Sequence, residues 1–160
     1  MKKMWFASRN LMAVATLACA FVFTACDEEQ EDTGANMYTI SGNASGSQMV
    51  PAVTGNGTAT ITGTYDANTN TLIYTTTWTG LSGNATAGGF FSGSAGQTGS
   101  AVGSAWTLGA NAGASGTYSG QMTLTDAQET QLINGGWYYT LSTANNANGE
   151  VRGQVVATRM

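Results

Sequence analysis

The chain has 160 residues, five Lys and Arg against nine Asp and Glu, a formal net charge of −4 and no histidine. Its length allows one domain. The absence of imidazole excludes a serine triad and a cysteine–histidine pair, and the acidic balance argues against a nucleic-acid partner.

The first 25 residues read as a signal peptide. Lys2, Lys3 and Arg9 form a basic start, and "LMAVATLACAFVF" (Leu11 to Phe23) is an uncharged run of 13 residues, short for a bilayer span but right for a signal-peptide core. Small Thr24 and Ala25 lead into Cys26. This series resembles the bacterial lipoprotein signal, which implies that the Cys26 thiol receives a diacylglycerol and that the cysteine becomes residue one, acylated on its amine. Phe23 departs from that signal, where an aliphatic residue is usual. Plain secretion with an unmodified cysteine and an uncleaved membrane anchor remain alternatives; a disulfide with Cys19 does not fit, because cleavage removes Cys19. Two or more acyl chains hold a protein on a membrane without spanning it.

Cleavage leaves Arg152 and Arg159 against the nine acids, a net charge of −7. Five of those acids lie in "DEEQED", residues 27–32, a solvated tether. It resembles the acidic export signal of surface lipoproteins in the Bacteroidetes group, which implies an outer-membrane location with the protein facing outward. Extended, residues 27–37 reach about 35–40 Å.

From residue 37 to about 157 the composition turns to Thr, Ser, Gly, Asn and Ala with scattered aromatics. "MYTISGNAS" from Met37 predicts a first strand with Tyr38 and Ile40 as its inward pair. "TATITGTYD" alternates Ala59, Ile61, Gly63 and Tyr65 with four threonines, and "NTLIYTTTWTG" continues with Leu72, Tyr74, Thr76 and Trp78 on one face. "DANTN" between them is a turn, so Gly57 to Thr79 reads as a hairpin. Residues 80–120 are glycine-rich and hold little register information; short strands are expected around "TAGGFFSG", "SAWTLG" and "SGTYSGQMTL", since Phe90, Phe91, Trp106 and Tyr118 need burial. Thr125 to Gly135 predicts the one helix, with Thr125 and Gln128 as a capping box and Gly135 as the stop. "WYYTLST" and "EVRGQVVA" then form a closing hairpin. Strands joined by short turns, one helix and no βαβ alternation predict an all-β fold, an antiparallel sandwich or Greek-key sheet pair. Aliphatics are sparse, so aromatic rings should supply much of the core.

The order of these segments, Tyr38 to about Val155, resembles the CHRD domain. The most specific part is the ending "LTDAQETQLINGGWYYTLSTANNANGEVRGQ". The resemblance implies an extracellular β-rich domain, with protein interaction suggested by animal relatives. Bacterial members typically carry a His-x-His pair and a further histidine at places matching Gly89, Phe91 and Ser142, so no metal or acid–base role of those histidines carries over.

The carboxylates of the folded part are Asp66, Asp126, Glu129 and Glu150. Asp126 and Glu129 fit a helix start and Asp66 a hairpin turn, so no catalytic residue, cofactor or metal site is expected. "DANTNT" opens like a calcium loop at Asp66, Asn68 and Asn70, but Thr71 and Thr77 stand where glycine and a bidentate Glu belong. Glu150 and Arg152 are two apart on a strand, and are expected as a surface ion pair or as an Arg bonded to a loop carbonyl. Trp78, Trp106, Trp137, Tyr138 and Tyr139 read mostly as core. Tyr138 and Tyr139 must face opposite ways, however, so one could be exposed and stack on a sugar. The sequence therefore predicts a lipid-anchored protein-interaction domain that is not an enzyme, with glycan binding as the alternative.

Overall fold

The computed structural model describes residues 36–109 and 112–160. The expected signal peptide, Cys26 and the acidic run lie outside the described residues. The strands are β1 (Met37–Ser45), β2 (Thr58–Asp66), β3 (Thr71–Thr79), β4 (Ala85–Ser92), β5 (Ala101–Val102), β6 (Gly116–Thr123), β7 (Trp137–Thr143), β8 (Val151–Gln154) and β9 (Val156–Arg159). A 3₁₀ turn at Gly46–Gln48 and the helix α1 (Asp126–Ile133) complete the elements. All strand pairs are antiparallel, in the order β5-β4-β7-β8-β1-β2-β3-β6 with β9 also on β1. The sheet curls until its two halves face each other, so that Tyr74 of β3 and Phe90 of β4 meet edge to face at 4.7 Å. This is the expected all-β, sandwich-like fold with one short helix.

The first hairpin forms as its alternation dictates. Ala59, Ile61, Tyr65, Leu72, Tyr74, Thr76 and Trp78 are buried, while Thr58, Thr60, Thr62 and Thr64 face solvent. Its turn is held by Asp66, which accepts from Asn68 N at 2.9 Å and Thr69 Oγ1 at 3.1 Å. Asn70 closes it at φ +54°, a left-handed conformation that Asn tolerates better than most residues. In β1, Ile40 is buried and Tyr38 half-buried.

The helix begins with the expected capping box: Thr125 N donates to Gln128 Oε1 at 2.9 Å and Gln128 N to Thr125 Oγ1 at 3.4 Å. It stops at Gly135, φ +69°. Leu132 is its only fully buried side chain.

In the glycine-rich middle, β4 and β6 occupy "TAGGFFSG" and "SGTYSGQMTL", but "SAWTLG" is not a strand. The short β5 precedes it, on Phe90 and Phe91, and Trp106 is buried outside any strand. Its backbone N–H donates to Gly88 O at 2.8 Å. A Cβ at Gly88 would stand 2.5 Å from Trp106 Cε3, and one at Gly116 2.7 Å from Trp78 Cζ2. These glycines let indole rings lie directly on the backbone, a packing role that residue periodicity does not reveal. Trp106 in turn stacks on Tyr118 at 5.3 Å and meets Phe90 edge-on at 5.4 Å, and Phe90 contacts Trp137 at 5.5 Å. The core is aromatic, as the scarcity of aliphatics requires.

The closing hairpin pairs β7 with β8. At Val155 the chain leaves β7, and β9 runs on to Arg159 along β1, beside Tyr38.

Candidate functional site

The closing hairpin holds two buried charged residues, Glu150 and Arg152. On β7 and its neighbours, Trp137, Tyr139, Leu141 and Val151 face the aromatic core. The register places Tyr138, Thr140 and Ser142 on the opposite face, beside Phe91 and Gly89 of β4 and Arg152 and Gln154 of β8. In an open sheet this second face would be solvated. Here Tyr138, Thr140, Ser142 and Arg152 are all buried.

Loops provide the cover, and polar groups fasten them. Arg152 lays its guanidinium carbon 3.6 Å from the Tyr138 ring centroid and donates from Nη2 to Ser94 O at 2.9 Å. Tyr138 stacks on Phe91 at 5.3 Å and 15°, and its hydroxyl accepts from Gly99 N at 3.2 Å. Gln154 Nε2 donates to Gly93 O at 2.8 Å and Gly135 O at 2.9 Å. Loop 93–99 is thus tied to the sheet by three side chains of this face.

Glu150 is a second hub, 2 % exposed. Oε1 accepts from Ser82 N at 2.6 Å; Oε2 accepts from Ser82 Oγ at 2.6 Å, Thr143 Oγ1 at 2.6 Å and Asn146 Nδ2 at 3.2 Å. Burial alone would raise this carboxyl, but the donors from Ser82, Thr143 and Asn146 outweigh it and hold it below the ordinary 4.5. It pins the loop after β3 to the turn at 144–149.

These geometries correct two expectations. Glu150 and Arg152 form no surface ion pair: both are buried and each has its own partners, although the loop-carbonyl bond of Arg152 is as anticipated. Neither Tyr138 nor Tyr139 is exposed. Loop 93–99 and Arg152 cover the first; the second lies in the core with its hydroxyl donating to Ala59 O at 3.0 Å, and burial raises its pKa. Among the described residues no aromatic side chain is fully exposed; Tyr38, Phe91 and Tyr118 are half-buried.

Other sequence candidates fall where their local chemistry put them. Asp66 is spent on its turn, and Asp126 and Glu129 sit in the first helical turn. Among the described residues no three His, Cys, Asp or Glu side chains converge. The places matching the relatives' histidines, Gly89, Phe91 and Ser142, do share the second face, but Phe91 uses its position to stack under Tyr138. Sequence reasoning missed Ser82, Ser94 and Asn146. The available signal was indirect: Glu150 and Arg152 are two of only six charged residues between 36 and 160.

Two open clefts border this face. One, about 200 Å³, is lined by Arg152, Gln154, Gln48, Met49, Val50 and Ala95 among others. The other, about 290 Å³, shares Met49 and Val50 and continues along Pro51, Val53 and the 145–149 turn. Among the described residues no helix is long and apolar enough to cross a membrane.

A family model described as the CHRD domain matches residues 40–155, which takes in both hairpins, the helix and this face. No curated protein and no solved structure matches the chain. The family match makes the folded part a binding domain of extracellular type.

Proposed function

The chain belongs to the CHRD domain family, and from that premise we propose that it is a lipid-anchored lipoprotein of a bacterial outer membrane, facing outward, whose domain binds a protein partner and is not an enzyme. The observation that carries the binding half is the pair of clefts flanked by residues 47–53 and the 145–149 turn. They lie by the Ser45 end of β1, opposite the Met37 end at which the tether arrives. Nine residues of strand separate the two ends, about 26 Å at 3.3 Å per residue.

The anchor half rests on the basic, apolar and small-residue series before Cys26. The non-enzymatic reading is supported by the chain's lack of histidine and by the local commitments of its four folded carboxylates. Glycan binding, the alternative, loses the exposed ring that motivated it.

Cys26→Ser tests location: the variant should leave the membrane fraction, and the intact mass of wild-type protein should carry the acyl groups. An unmodified N-terminus in membrane-extracted protein would refute the anchor. Probing the detergent-solubilised full chain on a glycan array tests the alternative. Selective, saturable binding to one polysaccharide class would replace the protein-partner reading.

A further inference from the structure

Arg152 combines three properties that rarely coincide in a structural residue. It is 2 % exposed, it lines an open cleft, and among the described residues no carboxylate pairs with it. A guanidinium has five N–H donors, and among the described residues it makes one hydrogen bond, to Ser94 O. The Tyr138 ring beneath it adds a cation–π contact. A single carbonyl and a ring face compensate a desolvated positive charge only in part, because burying an ion is costly unless it is both paired and hydrogen-bonded. The nearest acid in sequence cannot complete the set, since the Glu150 carboxylate already accepts four hydrogen bonds from Ser82, Thr143 and Asn146.

We propose that Arg152 is the floor of a carboxylate-binding site, and that the cleft above it takes an acidic side chain of a peptide segment in the protein partner. The planar fork of Arg matches a carboxylate with two parallel N–H···O bonds, which a point charge such as Lys cannot reproduce. The fork is held in place before any ligand arrives: Phe91 backs Tyr138, Tyr138 backs Arg152, and Ser94 O fixes one edge. Such preorganisation lowers the entropy cost of binding. At about 200 Å³ the cleft has room for a carboxylate and the few carbons that carry it. Met49 and Val50, the latter 40 % exposed, join it to the neighbouring cleft. They offer apolar contact to the residue following the acid. Among the described residues no exposed ring stands ready to stack a sugar, which favours a peptide over an acidic glycan. The inference deepens the protein-binding reading and rests on it.

The test uses the full chain in detergent, labelled so that the Arg152 Nε–H resonance can be followed. Three probes are titrated: acetyl-Ala-Glu-Val-amide, its Gln counterpart, and trigalacturonate. The Glu peptide should move the Arg152 resonance saturably, and the Gln peptide should bind at least about tenfold more weakly. Ala95→Trp, at an exposed position on the cleft rim, should abolish the shift while leaving the melting temperature unchanged. Arg152→Lys should bind the Glu peptide several-fold more weakly if it folds; the wild-type titration decides the matter if it does not. No saturable shift, equal response to Glu and Gln peptides, or a response to trigalacturonate alone overturns the proposal. A silent Arg152 in a protein that still captures a proteinaceous cell-surface partner removes this site and leaves the binding-domain reading intact.

Discussion

In β2 and β3 core side chains alternate with outward threonines, whereas in β7 all seven residues are buried. The first hairpin therefore has one working face, and its stability resides in what points inward. The second has two. Its core face is aromatic and aliphatic, and its other face carries Tyr138, Thr140, Ser142 and Arg152 beneath loops. The difference shows how a small domain with few charges makes a place for polar chemistry: it covers the second face of one sheet half and leaves the second face of the other to water. The cover has its own cost in desolvation, which is why Glu150, Arg152 and Gln154 are all tied to loop atoms.

Substitutions can break this contrast at graded strengths. The largest effect is expected on the single-faced half from Trp78→Ala, about 3–5 kcal/mol of unfolding free energy in denaturant titration, because the ring is 3 % exposed and donates from Nε1 to Gly113 O at 3.0 Å. A loss below about 1 kcal/mol would show that this ring is not core. On the covered half, Glu150→Gln should cost about 1.5–3 kcal/mol at neutral pH, since hydrogen bonds to a charged acceptor are lost and Asn146 Nδ2 then faces another donor. The folded-state pKa of Glu150 lies below its ordinary 4.5. Its contribution is therefore fully present above that value and is lost as pH falls through the lower, folded-state value. The gap between wild type and variant, followed by thermal melting against pH, should narrow below pH 4.5; a constant gap would mean that the carboxylate's charge is irrelevant to the fold.

Gly88→Ala tests the junction between the halves. The new methyl would meet Trp106 Cε3 at 2.5 Å and Leu141 Cδ2 at 3.0 Å, so a loss of about 1–3 kcal/mol from overpacking is expected, with altered tryptophan fluorescence. The smallest effect belongs to the solvated face. Thr75→Ala removes a hydroxyl pair with Ser119 at 2.8 Å, on the outer side of β3, and should change stability by no more than about 0.5 kcal/mol. A larger change would mean that this face is covered as well.

What could be read from the chain alone was local. The period-two pattern of β2 and β3 needs only one face in water and one out of it, so residue type announces each side chain's direction. The Asp66–Asn70 turn, the Thr125–Gln128 box and the Gly135 stop are likewise settled within a few residues, because their hydrogen bonds join neighbours. The series ending at Cys26 is contiguous too, but it lies outside the described residues. Tertiary structure decided the rest. Whether Tyr138 and Arg152 are exposed depends on residues 93–99, more than 38 positions away in sequence, and Ser82 lies 68 residues from the carboxylate it satisfies. A β-strand presents both its faces identically to any sequence pattern, and only the folded chain determines whether a loop, the core or water meets the second one.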